Sequence, residues 1–323
     1  MALAVDPGIA VLIVNYNGGT LLRRALEALA RQTVRDFHVV VVDNASSDNT
    51  VDGIDRQSDN VTLRRAERNL GFAAGNNLAL TYAGSAGWIA LLNPDAFPEP
   101  RWLEELRLAA LANPGYSFFG SRMLLADAPQ LVDGTGDVYH ASGMAWRRDH
   151  GTLADRASSK AGEIFGPCAA AAFYARAALD EVAGFDERYF CYHEDVDLAF
   201  RLRLLGHRCL YVPNAVVHHV SGGIAGRQSD FATYYGQRNL VWTYLKNMPG
   251  VLFWLFLPLH LLMNAATVAV CSARGQLGVV LRAKRDALRG LGAVLAQRRA
   301  IQSARRISLR QLLAVMNFSF CRR

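Results

Sequence analysis

The chain has 323 residues, 51% of them hydrophobic and 20% charged. That is enough apolar matter for a sizeable core, and it excludes a disordered tail, a collagen-like fibre and a disulfide-stapled miniprotein. The net charge of +7 is unevenly spread. Residues 251–323 hold twelve Arg/Lys against one acid, Asp286, a net of +11, whereas residues 1–250 hold 23 basic and 27 acidic residues, a net of −4. A mildly acidic body with a basic tail argues against a nucleic-acid enzyme and predicts a tail that meets an anionic surface. The five cysteines (Cys168, Cys191, Cys209, Cys271, Cys321) are odd in number and widely spaced, with no Cys-x-x-Cys, which fits a reducing compartment. Asp6 and Pro7 precede the first apolar run without a basic stretch before them, so the N-terminus does not read as a signal peptide.

In chain order, Ile9–Val14 predicts a buried strand. Thr20 then caps a helix with Leu22, Ala25, Leu26 and Leu29 on one face. Strands follow at Val39–Val42 and Val61–Leu63, a helix at Asn76–Tyr82, a strand at Trp88–Leu92 and a helix at Trp102–Leu111. This alternation predicts an α/β fold with a Rossmann-like, mostly parallel sheet flanked by helices. Residues 131–165 read as a loop or hairpin excursion, Arg176–Val182 as a helix, and His193-Glu194-Asp195-Val196-Asp197 opens a helix through Leu205. A strand at Cys209–Val212 precedes Pro213, and Phe231–Lys246 is the next helix. No residue from Asn247 to Ala273 is formally charged.

Ligands of parallel sheets sit beyond the carboxyl ends of the strands. Three strands end there in polar, oxygen-rich loops: Asn15-Tyr16-Asn17-Gly18-Gly19, Asp43-Asn44-Ala45-Ser46-Ser47-Asp48 and Asn93-Pro94-Asp95. One such loop is ordinary turn chemistry; three at one edge make a site. A dehydrogenase would carry Gly-x-Gly-x-x-Gly after the first strand, and a nucleotidyltransferase a Gly-rich, Lys-containing triphosphate loop; neither is present.

Taken together, Ile13-Val14-Asn15-Tyr16-Asn17, Val41-Val42-Asp43-Asn44-Ala45-Ser46-Ser47-Asp48, Asn69-Leu70-Gly71-Phe72-Ala73-Ala74-Gly75-Asn76, Leu92-Asn93-Pro94-Asp95 and Glu194-Asp195-Val196-Asp197 resemble glycosyltransferase family 2 in order and spacing, and its rhamnosyltransferase-like branch in particular. The resemblance covers about residues 9–245. It implies a GT-A fold, a nucleotide-sugar donor, a divalent metal (Mg²⁺ or Mn²⁺) and inversion at the anomeric carbon. It divides the chain into a GT-A domain, 1–245, and a basic, apolar helical membrane-associated region, 246–323. Within the first, a nucleotide-binding half covers about 9–125 and an acceptor-binding half about 126–245.

The resemblance also assigns roles. Asp43 contacts the nucleotide base, with Asn15, Tyr16, Asn17, Asn44, Ser46, Asn69, Gly71, Asn76 and Asn93 around the nucleotide. Asp95 is the metal ligand, since a diphosphate leaving group calls for a hard cation with oxygen ligands. Asn93 is neutral where the family's broader pattern has a carboxylate, and a scaffold that kept the fold without turnover is the alternative that this neutral residue supports. Asp195 is the base that takes the acceptor hydroxyl's proton, with Glu194 shaping the acceptor pocket. Two adjacent carboxylates raise each other's proton affinity, while the helix N-terminus favours the charged form. Asp197 reads as an acid complementing the helix dipole, outside the site. His219 is a second metal ligand, and Arg238, with Arg227 the weaker candidate, could neutralise diphosphate.

The donor expected from the resemblance is a dTDP- or UDP-sugar, rhamnose favoured, and the acceptor a saccharide or a polyprenyl-diphosphate-linked one of a bacterial surface polysaccharide. Specificity is expected around residues 131–170. The uncharged stretch is long enough to cross a bilayer, but one crossing would put the +11 tail outside, against the positive-inside tendency. Re-entrant or interfacial helices on the cytoplasmic face of the plasma membrane are therefore expected, with Arg282–Arg310 on anionic headgroups and room for a homo-oligomer.

Overall fold

A computed structural model describes residues 8–54, 60–222 and 229–319. Its sheet is built from β1 (Ile9–Asn15), β2 (Phe37–Asp43), β3 (Val61–Arg65) and β4 (Trp88–Leu92), all parallel and ordered 3-2-1-4. Side-chain alternation along β1 and β2 explains the layers. Val11, Ile13, Val39 and Val41 face helices α1 (Thr20–Ala30) and α3 (Trp102–Ala112), where Leu22, Leu29 and Trp102 are buried. Ala10, Leu12, Val40 and Val42 face the other way, toward Ala73 and Ala79 of α2 (Gly71–Thr81). Both faces of the sheet are thus covered, as the near-continuous apolar strands require.

The sheet is wider than the sequence predicts. After β5 (Ala96–Pro98) come β6 (Phe118–Leu125) and β7 (Ala128–Gly134), then a small hairpin, β8 (Asp137–Tyr139) with β9 (Ala145–Arg147), and the short β10 (Gly162–Ile164). The antiparallel β11 (Ala171–Ala175) inserts between β4 and β6. Helix α4 (Arg176–Glu181), a 3₁₀ turn at Glu187–Tyr189 and α5 (Glu194–Leu204) lead to β12, which runs Cys209–His219 rather than stopping at Val212. Pro213 is tolerated inside it because the β12–β6 register slips between Val212 and Val216, a bulge where no ladder N–H is needed. His218 and His219, beyond the residues read from sequence as the strand's end, therefore lie in the strand.

Two other expectations are corrected. Thr20 is the first helical residue, not the cap: Gly19 holds that place at φ = 53°, and its own N–H donates to Thr50 Oγ1 at 2.9 Å. Helix α2 starts five residues before Asn76, at Gly71.

Helix α6 (Asp230–Asn247) opens on Ser229, whose hydroxyl accepts from the Ala232 N–H. The remaining helices are α7 (Gly250–Ala273), α8 (Leu277–Arg289), α9 (Leu291–Ser303) and α10 (Leu309–Val315). Ala287 and Val294, from α8 and α9, are buried against Trp242 and Tyr189. Helix α7 is different: Leu252, His260 and Cys271 are buried, while Val251, Trp254, Leu255, Leu261 and Leu262 are each 60% or more exposed. It is the one helix among the described residues long and apolar enough to cross a membrane, and it lies on the surface of the body.

Candidate active site

The carboxyl ends of β1 and β2 are in register, Asn15 opposite Asp43. Asp43 Oδ1 accepts from Asn15 Nδ2 (3.2 Å) and from the Ser46 hydroxyl (2.5 Å), and Ser46 Oγ also accepts from the Asn17 N–H (2.9 Å). Gly18 is needed beside this cluster, because a Cβ there would lie 2.3 Å from Asn15 Oδ1. One residue on, Asn44 Nδ2 donates to Asn69 Oδ1 and to the Gly71 carbonyl, both at 3.0 Å, and its Oδ1 accepts from the Leu70 N–H. Two loops far apart in sequence are thereby clamped together at the sheet edge.

A cavity of about 930 Å³ opens over this edge. Of the residues expected in the site, Tyr16, Asn44, Asn69, Gly71, Asn93, Asp95, Glu194, Asp195 and His219 line it. Asn15, Asn17, Asp43 and Ser46 form the hydrogen-bonded layer just described and do not line it themselves. Asn76 is buried, bonds the Phe72 carbonyl of its own helix, and is not on the cavity. Arg238 is not on it either. Its guanidinium donates to the carbonyls of Arg188 (2.8 Å) and Tyr189 (2.9 Å) and stacks over Trp242 at 4.3 Å, so it fixes a loop instead of facing a ligand. Arg227 lies outside the described residues.

The extension of β12 places His219 opposite Ala96 of β5, beside Asp95. His219 Nδ1 is 2.8 Å from Asp133 Oδ2, and Nε2 faces Asp95 Oδ1 at 3.2 Å without hydrogen-bond geometry of its own. Burial disfavours the imidazolium, but the two flanking carboxylates outweigh it and hold His219 above its usual value. Asp133 also pairs with Arg147, whose Nη1 reaches Ser221 Oγ at 3.1 Å. A histidine whose Nδ1–H is fixed by a carboxylate keeps Nε2 for a cation, and Asp95 supplies an oxygen next to it. These residues fit a divalent metal whose other ligands come from diphosphate and water. Among the described residues no group of three or more His, Cys, Asp or Glu side chains forms a closed metal site.

On the same cavity, α5 presents Glu194 and Asp195 in its first turn. Asp195 Oδ1 accepts from the Val196 N–H (2.8 Å) and Oδ2 from the Ala169 N–H (3.3 Å). Burial raises the Asp195 carboxyl above its ordinary value, against the pull of those N–H groups and of Arg147. Glu194 is raised further, by burial and then by Asp195, and its Oε2 has no hydrogen-bond partner among the described residues. Asp137, which pattern reading missed, is a further acid on this cavity; burial and the Asp195 charge push it well above the usual range. Its signal was the run Asp133-Gly134-Thr135-Gly136-Asp137, two acids in a tight turn within a stretch read only as an excursion.

The backbone ahead of α5 is strained. Phe190, Tyr192 and His193 all have φ between 64° and 66°. The Phe190 carbonyl accepts from the Phe72 N–H at 2.6 Å and from the Ala73 N–H at 3.2 Å, closing the first turn of α2. Gly71, at φ = 80°, makes this approach feasible: a Cβ there would come within 2.6 Å of that carbonyl. Asp197 is fully buried and takes bonds from Lys246 Nζ (2.7 Å), Arg201 Nε (2.8 Å) and Asn247 Nδ2 (2.7 Å), so it ties α5 to α6 beyond its place in the helix's first turn.

Oxygen-rich loops, a histidine flanked by carboxylates and two adjacent acids thus surround one cavity. Comparison with known proteins identifies the family. Residues 10–183 match the sequence model of glycosyl transferase family 2. The chain is 32% identical over 242 residues to an N-acetylglucosaminyl-diphospho-decaprenol L-rhamnosyltransferase of Mycobacterium tuberculosis, spanning 67% of this chain and 77% of that protein. Among solved structures, a mannosyltransferase from Pyrobaculum calidifontis in complex with GDP-Man and Mn²⁺ superposes with a TM-score of 0.56 at 19% identity, over 93% of this chain and 86% of that one. GalNAc-T7 with UDP, GalNAc and Mn²⁺ gives 0.57 at 15%, over 66% and 43%. The structural likenesses establish the GT-A fold; the sequence matches establish the family. The chain is a glycosyltransferase that belongs to family 2.

Proposed function

We propose that this enzyme transfers a sugar, with rhamnose the favoured one, from a dTDP- or UDP-linked donor to a saccharide carried on a polyprenyl diphosphate, with inversion, in bacterial surface polysaccharide synthesis. The observation that carries the reading is the shared cavity, lined by Asp95 and His219 as well as by Glu194 and Asp195. The relative's acceptor, by its name, is a diphospholipid-linked N-acetylglucosamine, which supports the acceptor class.

In this reading the nucleotide lies over the Asn15–Asp43 edge with Tyr16 at its rim. Asp195 takes the acceptor hydroxyl's proton as that oxygen attacks the anomeric carbon and the bond to diphosphate breaks. Glu194, whose carboxyl burial and then Asp195 hold well above the ordinary range, offers a hydrogen bond to the sugar. A divalent cation held by Asp95 and His219 would neutralise the charge on the departing diphosphate. Arg147 adds a fixed positive group on the same cavity.

Residues 1–245 are assigned to catalysis and 246–323 to the cytoplasmic membrane surface. The exposed apolar side of α7 and the basic tail support peripheral attachment. Not all of the basic segment is available to headgroups: Lys284, Arg298 and Arg306 are engaged with Asn264, Leu245 and Glu181 respectively.

A thermal-shift panel of dTDP, UDP and GDP with Mg²⁺, Mn²⁺ or EDTA tests the donor and the metal together. Stabilisation by dTDP or UDP that needs the cation, and disappears in Asp95→Ala, is the expected result. Equal shifts with and without cation, or preference for GDP, would refute it.

A further inference from the structure

The geometry points to Arg274 as the residue that receives the acceptor's diphosphate, at the place where its lipid chain leaves the catalytic cavity. This rests on the lipid-linked acceptor proposed above. Arg274 lines the same cavity as Asp195, yet it belongs to neither the donor edge nor the catalytic helix. It is the residue that ends α7. Along that helix Val251, Trp254, Pro258, Leu261, Ala265 and Ala269 are exposed, recurring every three or four residues, so one apolar stripe runs toward Arg274. At 24 residues the helix is about 36 Å long, on the scale of a bilayer's hydrocarbon thickness.

The turn that carries Arg274 is pinned. Gln276 Nε2 donates to Asp230 Oδ1 (2.9 Å) and Gln276 Oε1 accepts from the Thr233 hydroxyl (3.1 Å), which fixes it to the start of α6. From α6, Phe231 and Gly236 line the same cavity. The guanidinium itself makes no ion pair or side-chain hydrogen bond with any described residue. Arg147, the other arginine on the cavity, is by contrast paired with Asp133.

Charge decides what Arg274 is for. The cavity carries Asp195, charged when it acts as the base, which repels a second diphosphate and keeps it away from the reacting centre. A cation on the cavity where α7 ends attracts one, and guanidinium matches phosphate oxygens in a fork. A polyprenyl chain attached to that diphosphate then meets apolar surface at once, on α7. The saccharide is left pointing inward, toward Asp195.

Two synthetic acceptors separate this role from others: undecyl diphospho-N-acetylglucosamine and the uncharged undecyl N-acetylglucosaminide, assayed for sugar transfer with the full-length enzyme. The wild type is expected to favour the diphosphate acceptor. In Arg274→Ala the ratio of the two KM values is expected to fall roughly tenfold, through a higher KM for the diphosphate acceptor, and Arg274→Lys to recover part of it. An unchanged ratio, or both KM values rising in parallel, would overturn the assignment; a parallel rise marks a role in shaping the α7–α8 turn. A wild-type enzyme that turns over donor but glycosylates neither acceptor would instead overturn the lipid-diphosphate reading on which it rests.

Discussion

Asn239 Nδ2 lies 2.7 Å from the carbonyl oxygen of Tyr192 and 2.9 Å from those of Tyr189 and Cys191, so one amide on α6 holds the strained segment that leads into α5. Tyr192 and His193 both sit at φ = 66°, a conformation that non-glycine residues keep only when their surroundings enforce it. Asn239→Ala removes that enforcement. Its expected effect is a kcat lower by roughly 10- to 100-fold with a much smaller change in donor KM, since a displacement of about 1 Å is enough to misplace a base. Steady-state kinetics with the donor varied would check it, and a KM effect as large as the kcat effect would count against a positioning role.

Asp195→Asn is expected to lower transfer by at least about 100-fold, the usual worth of a positioned base, while nucleotide still stabilises the protein. The acid limb of the rate profile carries a second prediction. Asp195 must be charged to act, and its carboxyl is held above the ordinary value, so activity falls as pH drops through a midpoint above that of a free aspartate. The pH profile of transfer checks it, and a midpoint at or below the free-aspartate value would count against a buried base.

Lys246 is fully buried, with its ammonium 2.7 Å from both Asp186 and Asp197. Lys246→Met leaves two buried carboxylates short of a partner and is expected to cost about 3–5 kcal/mol of stability. Asp186 and Asp197 are both held below the ordinary carboxylate value: burial works to raise them, and the cations beside them prevail. Their stabilising contribution is therefore present above the unfolded carboxylate range and is lost as pH falls through the depressed folded values. Chemical denaturation at pH 7 and below pH 4 should show a wild-type advantage over Lys246→Met that shrinks in acid.

For the membrane surface, removing residues 251–323 is a poor test, because Ala287 and Val294 cover Trp242 and Tyr189. Trp254→Glu with Leu261→Glu places two charges on the exposed side of α7 and leaves those contacts alone. Co-sedimentation with vesicles containing phosphatidylglycerol is expected to fall at least about tenfold, since each buried large side chain contributes roughly 1.5–3 kcal/mol. Undiminished pelleting would move the attachment elsewhere.

The polar sheet edge at β1 and β2 was legible in sequence because each of its parts is local: an apolar run, then a polar turn, repeated. The strands β6 and β11 were not. Phe118–Leu125 carries a glycine and an arginine within its apolar run, and Ala171–Ala175 is alanine-rich, so neither shows the period that marks a strand. Asp133 and Asp137 escaped for a related reason, since their importance comes from partners 86 and 58 residues away, His219 and Asp195. Arg238 misled in the opposite direction. A cation near a proposed diphosphate suggests a ligand contact, but here two carbonyls and two aromatic rings occupy it.

The bond from the Phe72 N–H to the Phe190 carbonyl joins residues 118 positions apart. The first N–H groups of helix α2 therefore find their protein partner only once the segment before α5 is in place. Until then that helix end is left to solvent, and the two sides of the cavity meet through a contact of high sequence separation.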